Sequence, residues 1–207
     1  YYGPDKFRSA SGTIPVLFGF GENQGADRPD PQAQLAALRQ GADRLVLSEE
    51  NYIGVLSTPR GRAVNQRYKA ATERLAALAH AIDHEIDVFI GIRRPTAYIN
   101  SAYGQMLIAG HIRPVNLFRR RNPLGSVDWF DLVSRIRAAR GVGRITVWRY
   151  EDYADLFPQI VGSLVGADKA HHVEMVERNI NPGLSAAAVA EVLHRNALTN
   201  IDRLGVV

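Results

Sequence analysis

The stretch from Asp87 to Tyr103 constrains this chain more than any other. It reads Asp87-Val88-Phe89-Ile90-Gly91-Ile92-Arg93-Arg94-Pro95-Thr96-Ala97-Tyr98-Ile99-Asn100-Ser101-Ala102-Tyr103. The apolar run, rich in β-branched and aromatic residues, has the composition and length of a buried strand. Two arginines and a proline follow, and proline is favoured at the first helical position. The next segment has helical spacing and closes at Gly110. Residues 86–110 therefore predict a strand, a tight turn and a helix, with cations at the junction. In open α/β sheets ligands bind outside the carboxyl ends of strands, which makes the junction a candidate anion site.

The rest of the chain continues the alternation. Residues 30–42 predict a helix with Asp30 placed to cap it, Pro31 at its first position, Leu35 and Leu38 inward, and Gly41 as its stop. Arg44-Leu45-Val46-Leu47-Ser48 is expected to be a short strand that runs into Glu49, Glu50 and Asn51. After a loop with Pro59 and Gly61, residues 65–82 predict a longer helix with Ala71, Leu75, Leu78 and Ile82 on one stripe. Arg113, Arg119, Arg120 and Arg121 are expected in a loop. Residues 128–140 then return to helix, burying Trp129, Leu132, Val133 and Ile136 and ending at Gly141 and Gly143. Residues 144–150 alternate as a strand does and finish in Tyr150-Glu151-Asp152, whose acids suit the start of the next helix. That helix turns Leu156, Ile160, Val161 and Leu164 inward, with a kink or restart expected at Pro158. A last helix begins at Leu184 or Ser185. The first thirty residues are rich in Gly, Pro, Asp and Asn, with one apolar piece at 14–18. The glycines at 19–25 read as a surface loop rather than a phosphate cradle, since no lysine and no helix follows at the right place.

Strands alternating with helices predict an α/β domain with a mainly parallel central sheet, and 207 residues suit one domain. Three strands are legible, ending at Ser48, Arg93 and Tyr150. Parallel strands share a carboxyl edge, so one cleft is expected to collect Glu49 or Glu50, Arg93 and Tyr150. Three strands make a thin sheet, and a further strand is expected upstream of Tyr1.

Composition narrows the function classes. The net charge is +4 and only Lys6, Lys69 and Lys169 are lysines. Arginine's planar fork suits phosphate and sulfate, although a codon bias toward arginine accounts for the count equally well. So mild a charge does not make the chain a nucleic-acid binder. Without cysteine, disulfides, thiolate catalysis and cysteine-held metals are excluded. His171 and His172 have no companion ligands in sequence, so no metal is expected. No apolar run reaches membrane-spanning length and no signal peptide is visible, so a cytoplasmic protein without a membrane span is expected.

Arg93-Arg94-Pro95, with Ser101 and Tyr103 beyond it, resembles the motif with which sulfotransferases hold the 3′-phosphate of 3′-phosphoadenosine 5′-phosphosulfate (PAPS). In that family an Arg-Xaa-Pro ends a strand and a serine lies two helical turns on. Arg94 stands where the family usually has Asn or Asp. Tyr150-Glu151-Asp152 is similar to the family's Tyr-Glu-Asp, and Ser48-Glu49-Glu50 resembles the Ser-Xaa-Glu strand end of bacterial members. These matches cover about residues 44–164. The resemblance implies a three-layer sandwich with a P-loop-NTPase-like sheet, and transfer of a sulfuryl group from PAPS to an acceptor hydroxyl on a carbohydrate, lipid or small molecule. Arg93 and Ser101 would hold the 3′-phosphate and Tyr150 would lie near the adenine. Glu50 is the first choice as base and Glu49 the second, with no metal required. The family's Lys-Thr-Gly-Thr-Thr turn, which wraps the 5′-phosphosulfate, is not in these residues and is expected upstream of Tyr1.

Other readings stand beside this one. A kinase using ATP, or a noncatalytic nucleotide-binding module, fits the same junction. Arg93 alone reads equally as the ion-pair partner of Asp87 or Glu151, Ser101 as a small residue at a helix contact, and Tyr150 as packing under the next helix. Arg119-Arg120-Arg121 reads as solvated, or as a contact to acceptor or phosphate at the cleft mouth.

Overall fold

The computed structural model describes residues 1, 3, 31–54, 66–175 and 183–203. The apolar piece at 14–18, the glycine-rich loop at 19–25, Asp30, the Pro59 and Gly61 turn and Asn65 lie outside the described residues. In chain order the elements are helix α1 (Pro31–Arg39), a 3-10 turn (Glu50–Ile53), α2 (Ala71–Ile82), strand β1 (Ile86–Ile92), α3 (Pro95–Ile108), α4 (Val115–Arg121), a second 3-10 turn (Leu124–Ser126), α5 (Trp129–Arg137), strand β2 (Val142–Arg149), a third 3-10 turn (Tyr150–Asp152), α6 (Tyr153–Val165), α7 (Ala167–Ala170) and α8 (Ala186–Arg203). They form two compact units. The first comprises Tyr1–Val55, Tyr68–Ile92 and Trp129–Glu174, and the second Leu56–Arg67, Arg93–Asp128 and Met175–Val207.

The first unit is built on β1 and β2, which pair in parallel from Ile86 opposite Val142 to Ile92 opposite Arg149. Between the Ile86–Val142 and Val88–Ile145 pairs one residue on β1, Asp87, lies opposite two on β2, Gly143 and Arg144, so β2 carries a bulge. The Asp87 carboxylate accepts the Arg144 N–H at 3.0 Å, satisfying a donor at the irregularity. Alternate strand residues Ile86, Val88 and Ile90, with Val142 and Ile145, pack against Ala71 and Leu75 of α2, Leu132 and Ile136 of α5, and Ala139. The two helices meet the sheet because each presents an apolar stripe. Ala71, Leu75, Leu78 and Ala79 are buried on α2, and Leu132 and Ile136 on α5. The fold is thus α/β, with a parallel strand pair covered on one face by helices.

Four local expectations are revised in this frame. Residues 44–48 are not a strand: only Leu47 makes a strand-type bridge. Three apolar residues offer too few ladder rungs, and the segment is instead tied by Arg44, whose Nη1 donates to the Ser163 and Leu164 carbonyls at 2.9 Å and caps the last turn of α6. Helix α2 begins at Ala71 rather than near 65, because residues 66–70 are turns and Tyr68 has a φ of 52°. The arginines 119–121 lie on the last turn of a helix, α4, and not in a loop. Helix α6 runs through Pro158 without restarting. The proline is exposed, so solvent can reach the carbonyl of Ala154 that it leaves without a donor.

In the second unit α3 buries Tyr98, Ile99, Ala102, Tyr103 and Leu107, a single stripe at helical spacing. The Tyr103 ring lies 5.1 Å from that of Phe118, the inward residue of α4, and its hydroxyl donates to the Arg113 carbonyl at 3.1 Å. Asn122 is buried at the end of α4. Its Nδ2 donates to the Phe118 carbonyl and its Oδ1 accepts from Arg67 Nη2 at 2.7 Å. Helix α8 begins as the sequence implies: the Ser185 hydroxyl accepts the Ala188 N–H at 3.2 Å. Further along, Asn196 Nδ2 donates to the Leu107 and His111 carbonyls at 2.8 and 3.0 Å, satisfying acceptors where α3 ends.

Candidate functional site

The candidate residues divide between the units: Glu49, Glu50 and Tyr150 belong to the first, Arg93 and Ser101 to the second.

In the first unit the carboxyl ends of β1 and β2 lie side by side, Ile92 opposite Arg149. Beyond Arg149 the chain tightens at once into the Tyr150–Asp152 turn and then into α6. Arg149 Nε donates to Asp152 Oδ2 at 2.6 Å and fastens this turn. The bond holds the exposed guanidinium above its usual pKa. Tyr150 is exposed at the strand end, and Glu151 is exposed beside it. Asp87, one of the two acids weighed as a partner for Arg93, sits at the amino end of β1 and is engaged by Arg144. Five residue steps, about 17 Å at the strand rise, separate it from Ile92. That removes Asp87 as partner for a cation at the carboxyl end.

The Glu49-Glu50 pair opens the first 3-10 turn, which is anchored by Ile53 packing on the unit's core. The Glu49 carbonyl accepts the Tyr52 N–H at 3.4 Å, and the residue is half-buried. The side chain of Glu50 lies outside the described residues. Tyr52, which the sequence reading did not single out, is strongly perturbed among the described titratable groups. Burial pushes its hydroxyl far above the usual range, and the adjacent Glu49 charge adds to the effect. The raised hydroxyl and the Glu49 charge thus lie close together in the first unit. Nothing in Asn51-Tyr52-Ile53 signals this, because the shift comes from burial.

In the second unit Arg94 occupies the N-cap of α3 and Pro95 its first helical position, as the sequence predicts. Arg93 is half-buried immediately before it and Arg94 is exposed. Ser101 lies about two turns along, on the face opposite the buried stripe. Among the described residues nothing hydrogen-bonds its hydroxyl, whereas Ser163 and Thr199 bond back to the carbonyls four residues earlier. An anion near the start of α3 would meet the free amides of the first turn and the positive end of the helix dipole. Tyr103, the third residue of this match, points the other way, and burial raises its pKa as well. It serves the core of the unit. Arg67 was also missed. It is buried, bonded to Asn122, with its guanidinium 5.6 Å from the centre of the Tyr98 ring. In Gln66-Arg67-Tyr68-Lys69 it resembles any surface cation.

Among the described residues no group of three His, Asp or Glu side chains is placed to hold a metal ion, and no helix is long and apolar enough to cross a membrane. No family model, curated protein or solved structure matches the chain.

Proposed function

We propose that the protein is a PAPS-dependent sulfotransferase acting on an acceptor hydroxyl, working in the cytoplasm. Its sheet is then part of the three-layer, P-loop-NTPase-like sandwich that the resemblance implies. The observation that carries the reading is the in-register end of the parallel pair. With Ile92 opposite Arg149, the chain leaves one edge of the sheet into Arg93-Arg94-Pro95 and again into Tyr150-Glu151-Asp152. Those two segments were singled out separately by their sequence, and each is followed by a helix.

In this reading Arg93 and Ser101 donate to the 3′-phosphate, which the first amides of α3 also face, and Tyr150 lies against the adenine. The nucleotide would supply the sulfuryl group and a leaving 5′-phosphate. The acceptor oxygen bonds to sulfur as the bond from sulfur to the phosphate oxygen breaks, and its proton passes to the Glu50 carboxylate, with Glu49 as second candidate. The products are a sulfate ester and adenosine 3′,5′-bisphosphate. Positioning and charge stabilisation dominate such an in-line transfer, and a placed base contributes about a hundredfold or more.

Calorimetric titration of the full chain tests the assignment. Adenosine 3′,5′-bisphosphate should bind more tightly than ADP, and Arg93→Ala should erase most of that difference, about ten- to a hundredfold for a hydrogen bond to a charged group. Equal affinity for the two nucleotides, or none for either, overturns the 3′-phosphate site. Glu50→Gln should abolish turnover and leave nucleotide affinity intact, whereas unchanged turnover transfers the role to Glu49.

A further inference from the structure

We propose that residues 108–124 form a docking surface for an anionic lipid bilayer. The proposal does not depend on the sulfotransferase reading. From Arg93 to Val127 the chain contains six arginines, 93, 94, 113, 119, 120 and 121, and not one aspartate or glutamate. Of the thirteen large apolar residues exposed among the described residues, five fall between 108 and 124: Ile108 at 73%, Ile112 at 51%, Val115 at 39%, Leu117 at 42% and Leu124 at 51%. Cations and exposed apolar side chains are therefore interspersed along one short, acid-free segment.

This surface is held in shape from within. Helix α4 commits only Phe118 to the interior, at 1% exposure, and that ring is fixed against Tyr103. Asn122 closes the helix through its bonds to Phe118 and Arg67. On the outside, Val115 and Arg119 are four residues apart and share a face, and Leu117 flanks Arg120. Among the described residues Arg113 and Arg120 have no carboxylate partner, and Arg119 has only the Asn100 amide oxygen at 3.4 Å.

The chemistry of the exposed residues selects the occupant. Single-stranded nucleic acid is held largely by stacking on exposed aromatic side chains, and within residues 108–124 the one Phe, Tyr or Trp, Phe118, is buried. A soluble polyanion would use the arginines and leave five aliphatic side chains in water. Acyl chains beneath a layer of anionic headgroups use both, since aliphatic groups insert at the interface while arginines remain among phosphates. Each arginine near such a surface contributes roughly fivefold to partitioning at physiological salt. The attachment proposed is at the headgroup level of the bilayer.

Flotation of the full chain with phosphatidylcholine vesicles, with and without phosphatidylglycerol, tests the inference. The protein should float only with the anionic vesicles and dissociate as salt is raised. Replacing all three of Arg119, Arg120 and Arg121 by Gln should weaken partitioning about a hundredfold, following the same per-charge figure. Ile112→Ser with Leu117→Ser should weaken it at least tenfold with the charge unchanged. No flotation with anionic vesicles overturns the proposal. Flotation that salt reverses but the serine pair leaves unchanged overturns it too, since it marks a purely electrostatic polyanion site, as does retention on heparin without vesicle binding. Hydrogen exchange of the unaltered protein needs no variant to fold. Anionic vesicles should slow exchange within residues 108–124, and slowing confined to other segments counts against the assignment.

Discussion

Gly141 shows how much a single residue decides here. Its φ of +79° lies in the left-handed region, and a Cβ built on it would stand 2.5 Å from the Cβ of Ala79, which is buried on α2. Neither atom belongs to a flexible side chain, so the clash must move backbone. Gly141→Ala should therefore cost about 2 to 4 kcal/mol, combining left-handed strain with overpacking, as read by urea denaturation. The sequence reading saw this glycine only as the end of a helix, and the approach to Ala79 is a long-range fact that no local pattern carries. The same holds for Arg67, buried, and for Tyr52, whose hydroxyl is buried, both ordinary in sequence. Ser101 is a partial exception: its spacing from Pro95 sets its turn of α3, while its outward face follows from which residues of α3 the fold buries.

At the scale of elements, legibility followed the strength of the pattern. Helix α3 and both strands have long apolar runs with clear period and punctuation, and appear within a few residues of their expected bounds. Helix α4 has seven residues and a single inward side chain, Phe118, so it has no periodicity to read and its arginines resemble a loop. Residues 44–48 erred in the opposite direction: a short apolar run looks like a strand, but Arg44 anchors it to the carbonyls that end α6. Where a start signal is chemical rather than periodic, it transfers well. Ser185 caps α8 by accepting the Ala188 N–H, and Ser185→Ala should lower stability by about 1 kcal/mol, measured as a shift of the thermal midpoint, with Ser185→Asp retaining most of it.

Over the whole molecule, the two units have separate apolar centres. Leu132 and Ile136 lie at 0% exposure in the first, and Phe118 and Leu107 at 0 to 1% in the second. Leu132→Ala should cost about 2 to 5 kcal/mol and Phe118→Ala about 3 to 5. Native-state hydrogen exchange should locate the first loss in β1, β2, α2 and α5, and the second in α3 and α4. Equal acceleration across all six elements by either variant would show that the two centres do not act separately. The sequence by itself determined the α/β class and the strand-turn-helix at residues 86–108, because composition, period and proline placement act over a few residues. Only the tertiary structure decided that β1 and β2 pair directly, that the Asp87 carboxylate meets the Arg144 N–H at the bulge, that Glu49 sits beside the half-buried Tyr52 and that the arginines of α4 lie on a helix with exposed Val115 and Leu117. Those features depend on which distant segments meet, and the free energy of that meeting comes from burial, which one segment's pattern cannot express.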